Sequence, residues 1–274
     1  MKYRDFLRDE LKGVIPDNAV LPSGFHLVGH VALLHLNSET MDYASSIGEK
    51  TLQFNRRILS VAARTGPTEG VMRLPSYELV AGLSNTTTIH YENGVHFLLD
   101  PLRLTFSGGN RRERMRLSRL VKEGEHVVDM FSCVGQFALH IAKSADVKVT
   151  AIEINEEAFH YLLENIRLNG LESKVSALLG DCRLVHPRKT ANRVVMGYLH
   201  DTIGYLPSAL ETLVEDGGIV HMHMNVPEFE LENKIVDIKE TCRNSGYDST
   251  VNTIHVKNYS PGVGHYVFDI ITMA

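Results

Sequence analysis

Residues 127–142 read VVDMFSCVGQFALHIA and residues 149–155 read VTAIEIN. Each opens as a short apolar run and breaks on an acidic side chain, Asp129 in the first and Glu153 in the second, 24 residues later. The first stretch then turns through Gly135 into a segment with helical apolar spacing. A strand that stops on a carboxylate and passes straight into a helix, repeated, is the building unit of a parallel sheet with crossover helices.

The same alternation continues to the C-terminus. Strands are expected at Val127–Phe131, Lys148–Ile154, Lys174–Leu179, Arg193–Tyr198 and Gly218–Met222. Helices are expected at Gly135–Ser144, Glu156–Asn169, Leu206–Leu213 and Pro227–Ser245, before two closing strands at Ser249–Val256 and Tyr266–Thr272 with a turn at Pro261-Gly262. That is a doubly wound, Rossmann-like α/β sheet with an antiparallel terminal hairpin. Upstream the pattern differs. Phe25–Leu36 reads as a strand, Tyr43–Ala63 as a helix, and Val71–Leu74, Thr86–Tyr91, Val95–Leu99 and Leu102–Phe106 as short strands, with Glu92-Asn93-Gly94 as a hairpin turn. Residues 1–105 are therefore expected to form a small α+β domain, and residues 106–274 the sheet domain.

Composition bounds the rest. Across 274 residues, 43% are hydrophobic and 22% charged, which excludes a disordered or fibrous chain. No apolar run approaches the ~20 residues of a membrane span, and residues 1–12 lack a secretory h-region. Three cysteines, Cys133, Cys182 and Cys242, stand far apart with no C-x-x-C pair. That pattern argues against both a disulfide framework and a thiolate zinc site, and a reducing, cytoplasmic location is expected. The net charge is −5, so nucleic-acid binding would need a local patch. One exists: between Arg103 and Lys122, seven basic residues face Glu113 alone, a local net of +6. Arg56, Arg57, Arg64 and Arg73 are candidates to extend it. Of 14 histidines, His221 and His223 share a strand face, but no third ligand stands at a suitable spacing, and no metal is expected.

The strand ends carry the chemistry. Gly135 stands alone where a dinucleotide site needs three spaced glycines, so a pyrophosphate ligand is disfavoured. Glu153 is placed to accept from both hydroxyls of a ribose. Gly180-Asp181-Cys182 follows the third strand, where Asp181 can accept from an adenine amine while the Cys182 amide donates to a ring nitrogen. One such acid is often only a cap or turn residue. Three at consecutive strand ends, ordered for one crevice, point to a nucleoside without phosphate, and S-adenosylmethionine is the natural occupant. A doubly wound sheet with such a crevice resembles the class I S-adenosylmethionine-dependent methyltransferase-like fold.

From about Leu27 onward the chain resembles the tRNA-modifying enzymes that act on the purine 3′ of the anticodon. The resemblance is carried by LPSYELVAGLSNTTTIHYENGVHFLLD (74–100), FSGGNRRERMRL (106–117), DMFSCVGQFALHIA (129–142), AIEINEEAFHYLLENIRLN (151–169) and GDCR (180–183). Two sister groups share it, guanosine methyltransferases and the wybutosine-pathway aminocarboxypropyltransferases. Where the methyltransferases read F-S-P-R, this chain has Phe106-Ser107-Gly108-Gly109-Asn110. Where they read N-L-P, it has Met196-Gly197-Tyr198, followed by GGIVHMH (217–223). An extra N-terminal domain common in the methyltransferases is also not seen. All three departures are similar to the transferase group, and Gly197 leaves space for a bulkier transferred group.

The resemblance implies a reaction. The 3-amino-3-carboxypropyl group of S-adenosylmethionine, a co-substrate, passes to a base of 4-demethylwyosine type beside the anticodon of tRNA(Phe), and methylthioadenosine leaves. It further implies that Ser107 and Arg114 hold the methionyl carboxylate, Glu153 the ribose, and Asp181 with Cys182 the adenine. A guanidinium fork matches two carboxylate oxygens. Asp129 is a candidate either to orient the cofactor amine or to hold its own loop. Tyr198 is a candidate to position the acceptor base, with a packing role equally open. No residue stands out as a general base. The basic segment is expected to meet tRNA phosphates at the cofactor's mouth, with the reacting purine extruded from its stack. The alternatives are methyl transfer to guanosine N1 of the same nucleotide, or a noncatalytic tRNA-binding subunit. A monomer is the default expectation.

Overall fold

The computed structural model describes residues 1–274 as two compact units, Met1–Glu92 with His96–Gly108, and Asn93–Val95 with Gly109–Ala274. In the first unit the elements run α1 (Tyr3–Glu10), β1 (His26–Val28), β2 (Val31–Leu34), α2 (Ser38–Met41), α3 (Ala44–Phe54), β3 (Ser60–Arg64), β4 (Tyr77–Gly82) and β5 (Thr88–Glu92), with β6 (Val95–Leu99) completing a hairpin. Four strands form one sheet in the order β1-β2-β3-β4, and β5-β6 forms a second. Leu7, Leu34, Ile47 and Val61 are buried between the sheet and the helices, and Tyr3 packs edge-on against Phe25 and Phe54.

Four expectations fail here, each for a local reason. Phe25–Leu36 is two strands, because Gly29 at φ +56 lets Val28 pair back onto Val31. The expected long helix stops at Phe54. Asn55 is extended and its side chain accepts from the Arg57 amide, and the apolar residues beyond it become strand β3. Val71–Leu74 is a loop closed by mutual backbone bonds between Glu69 and Leu74. Leu102–Phe106 is a turn, since Asp100 accepts from the amides of Leu102, Arg103 and Leu104. Strand β4 has no counterpart among the expected strands. The Asn93-Gly94 turn has positive φ at both residues, as a two-residue hairpin requires.

The second unit contains α4 (Arg111–Leu120), β7 (His126–Asp129), α5 (Ala138–Ser144), β8 (Lys148–Glu153), α6 (Glu156–Leu168), β9 (Val175–Leu179), α7 (Cys182–Val185), β10 (Arg193–Met196), α8 (Leu206–Thr212), β11 (Ile219–Pro227), α9 (Leu231–Asn244), β12 (Asp248–Ser260) and β13 (Val263–Met273). Seven strands lie in the order β12-β13-β11-β10-β7-β8-β9. Strands β7 to β11 pair in parallel, and β13 enters antiparallel between β11 and β12. The order reverses between β7 and β10, the switch point at which open α/β sheets leave a crevice. One sheet face buries Val128, Val194, Met196, Val220, Met222 and Phe268 against Leu210 of α8 and Ile238 of α9. Helix α6 starts immediately after β8 because Asn155 caps it, accepting from the amides of Glu157 and Ala158. The expected strand ending at Met222 runs on to Pro227, since β13 pairs along its whole length. No helix is long and apolar enough to cross a membrane.

Candidate functional site

The turn between β7 and α5 is the centre of the candidate site. Asp129, with no exposure, lies beneath it, accepting from the Phe131 amide at 3.3 Å and the Ala138 amide at 3.2 Å. Burial pushes its carboxyl up to about 7, against the pull of those hydrogen bonds and with added repulsion from Glu153. Gly135 holds φ +94, and a Cβ there would stand 2.7 Å from Leu139. Cys133 adopts φ +48, which few residues other than glycine take. Its amide donates to Glu153 Oε2 at 2.7 Å.

Glu153 ends β8 nearly buried, with Oε1 accepting from the Asn155 amide at 2.8 Å. Burial raises its pKa, countered by the amides of Asn155 and Cys133. Each carboxylate oxygen has two lone-pair directions. The two amides use one on each oxygen, which leaves acceptor capacity for a diol. Asp181 follows Gly180 at the end of β9 and caps α7, and it also forms an ion pair with Arg183 at 2.5 Å. The Arg183 guanidinium holds the Asp181 carboxyl below its usual range and lies 4.8 Å over the Tyr205 ring. Cys182 is buried, and burial lifts its thiol to about 12, so it is inert as a nucleophile.

Tyr198 is in an aromatic cluster at the carboxyl ends of β7 and β10. It stacks on Phe131 at 5.2 Å and 17°, and both rings meet Tyr205 edge-on. Gly197 precedes it, and a Cβ there would touch the Phe137 ring at 3.1 Å. Arg114 is 1% exposed although it lies in the basic helix α4, and its Nη1 donates to Gln136 Oε1 at 3.3 Å. Ser107 is half-buried near the end of the first unit. The structure thus gathers Asp129 and Glu153 around one turn, ties Arg114 to the same turn through Gln136, and links Asp181 to Tyr198 through Arg183 and Tyr205.

The basic segment divides by partner. Arg116 is neutralised by Glu113 at 2.6 Å and Asp269 at 2.7 Å. The local charge is therefore smaller than the segment's own count. Arg111, Arg112 and Arg119 line an open groove of about 700 Å³ with Met115, Leu120 and Asn93, whose side chain accepts from Arg111 at 2.8 Å. His221 lies between Asp269 and Arg193, and no group of three or more His, Cys, Asp or Glu is arranged to hold a metal ion. Sequence reading passed over Phe131, Gln136, Arg183, Tyr205 and Lys257. The two glycines of S-G-G-N were the available signal for the last, since a Cβ on Gly109 would lie 2.5 Å from Lys257 Nζ.

Comparison with known proteins places the chain in a family. The TRM5/TYW2 methyltransferase domain matches residues 88–250, and the TYW2 N-terminal domain matches residues 7–86. The chain is 37% identical over 270 residues to the tRNA(Phe) (4-demethylwyosine(37)-C(7)) aminocarboxypropyltransferase of Pyrococcus horikoshii, covering 96% of this chain and 95% of that one. It is 35% identical over 211 residues to the tRNA (guanine(37)-N(1))-methyltransferase Trm5b of Pyrococcus abyssi, covering 76% of this chain and 62% of the relative. The crystal structure of Pyrococcus horikoshii TYW2 in complex with MeSAdo superposes with a TM-score of 0.85 at 34% identity, covering 98% of this chain and 99% of that one. Both halves of the molecule point the same way, and the chain belongs to the TRM5/TYW2 family, with the N-terminal domain of its TYW2 members.

Proposed function

We propose that this protein transfers the 3-amino-3-carboxypropyl group of S-adenosylmethionine to C7 of a 4-demethylwyosine-type base beside the anticodon of tRNA(Phe), releasing methylthioadenosine. The observation that carries this reading is the likeness, over nearly the full length of both chains, to the Pyrococcus horikoshii aminocarboxypropyltransferase.

The donor set fits the co-substrate. Glu153 retains lone pairs for two ribose hydroxyls, and Phe131, Tyr198 and Tyr205 offer aromatic surface beside Asp181. Asn110 Oδ1 is buried with no hydrogen bond, an acceptor suited to an ammonium group. Once bound, S-adenosylmethionine supplies an electrophilic carbon activated by its sulfonium and a thioether leaving group. Arg114 holds the methionyl carboxylate. Asp181 and the Cys182 amide hold adenine. Asp129 keeps the turn in shape, and Tyr198 positions the acceptor base. The work of these residues is alignment of nucleophile, carbon and sulfur.

The arginine groove on α4 meets tRNA phosphates, and residues 1–105 contribute separately to tRNA binding. The protein acts in the cytoplasm, where three unpaired cysteines stay reduced, and as a monomer. Mass spectrometry of the nucleoside product tests the reading. Methylthioadenosine is the expected product, S-adenosylhomocysteine would assign methyl transfer instead, and tRNA binding without turnover would assign a noncatalytic subunit.

A further inference from the structure

Along β11, His221, His223 and Asn225 alternate onto one face of the sheet. Across the ladder, β13 sets Asp269 opposite His221 and His265 opposite Asn225. His221 is fully committed, with Nε2 at 2.6 Å from Arg193 Nη1 and Nδ1 at 2.5 Å from Asp269 Oδ1. A guanidinium only donates, so His221 is neutral with its proton on Nδ1.

The next members of the file are not committed. His223 Nδ1 lies 3.1 Å from His265 Nε2, and neither residue has any exposure. His223 Nε2, His265 Nδ1 and both amide atoms of Asn225 are buried without a hydrogen bond. Open polar atoms gathered in one interior cluster call for a chemical reason.

Two neutral rings joined in this way have only two states. When His223 Nδ1 donates, His223 Nε2 presents a lone pair and His265 Nδ1 carries a proton. When His265 Nε2 donates, the roles exchange. The outer nitrogens are always one acceptor and one donor. A proton gained at one end is therefore matched by a proton lost at the other. Burial keeps both rings below the ordinary imidazole range, and Lys257, opposite His265 on β12, adds repulsion that holds His265 at about 4. Such a pair conducts a proton without storing it. Its place suits that task, since His223 packs edge-on against Phe137 at 5.2 Å, and Phe137 is the ring bordering Gly197 at the end of β10.

We propose that His223 and His265 form a proton relay that drains the acceptor carbon during group transfer. The relay rests on the aminocarboxypropyl reading. As C7 bonds to the γ-carbon, the γ-carbon–sulfur bond breaks with its electron pair going to sulfur, and C7 sheds its hydrogen as a proton. His223 Nε2 accepts that proton, the His223 Nδ1 proton passes to His265 Nε2, and His265 Nδ1, which has no partner in the closed interior, hands its own to a water that enters with the substrate.

Steady-state kinetics of His223→Gln, His265→Gln and the double variant tests the relay. Each single variant is expected to lose about 10²-fold in kcat, and the double variant little more. S-adenosylmethionine affinity and tRNA affinity should be unchanged, and deuterium at the acceptor C7 should slow the variants more than the wild type. In the free protein, ¹⁵N NMR of the imidazoles should show two neutral rings sharing one N–H···N proton, a readout that stands if a variant does not fold. Wild-type kcat in both single variants, or rings with unlinked tautomers, would overturn the relay. Release of S-adenosylhomocysteine by the wild type would overturn the reaction assignment and the relay with it, whereas methylthioadenosine release with unaffected variants overturns the relay alone.

Discussion

The Cys133 amide donates to Glu153 Oε2 at 2.7 Å, joining the turn after β7 to the end of β8. One carboxylate thereby steadies a turn whose φ of +48 at Cys133 is locally disfavoured, and keeps lone pairs for a ligand.

Replacing Glu153 should show both roles. Glu153→Ala is expected to weaken S-adenosylmethionine binding by about 10²-fold, from two lost hydrogen bonds to a charged acceptor at about 1.5 kcal/mol each. Its melting temperature should fall as well, because the Cys133 amide loses its partner. Isothermal titration calorimetry checks the first effect, and unchanged affinity would remove the ribose assignment.

Two ligands that differ only in the carboxylate-bearing arm test the proposed role of Arg114. Arg114→Ala is expected to cost S-adenosylmethionine about 10-fold or more in affinity through the lost carboxylate contact. Methylthioadenosine, which has no carboxylate, should bind as before. Equal losses for both ligands would contradict the assignment.

Gly135 and Gly124 distinguish crowding from backbone strain. Both have positive φ, but a Cβ on Gly135 meets Leu139 at 2.7 Å while one on Gly124 meets nothing within 4 Å. Gly124→Ala should cost about 1 kcal/mol, and Gly135→Ala roughly 1–3 kcal/mol more from overpacking. Denaturant unfolding of the two variants side by side measures the difference.

Asp129 gives the stability a pH signature. Its carboxyl is raised from 3.8 to about 7 in the folded protein, so folding favours the protonated form. The stability this group contributes is complete below pH 3.8 and is lost as pH rises through about 7. Asp129→Asn removes that titration. The wild type should lose melting temperature relative to the variant across this window, and parallel profiles would show that Asp129 does not titrate there.

The groove on α4 is tested by salt. Arg112→Ala and Arg119→Ala should each weaken tRNA binding and lower the slope of log affinity against log salt by about 1, while S-adenosylmethionine affinity stays the same. A slope identical to that of the wild type would remove the groove from the RNA path.

Much of the second unit was legible because its signals are local. The β8–α6 boundary at Glu153, Asn155 and Glu156 follows from a carboxylate, a cap and an acidic first turn within four residues. The first unit was harder. Apolar spacing runs without interruption across Asn55, and only an Asx turn divides helix α3 from strand β3. Arg114 illustrates the limit within the candidate site, since the resemblance picks it out but nothing in the spacing of six arginines in a basic segment marks it as the buried one.

By itself, the sequence determined the strand–helix alternation and the acids at three strand ends, because periodicity and turn chemistry act over a few residues. Tertiary structure alone decided the pairing of Arg116 with Asp269, 153 residues away, and of His223 with His265. Both depend on β13 entering antiparallel between β11 and β12 in one register. A single-residue slip of β13 would turn Asp269 and His265 to the opposite face, away from Arg116 and His223.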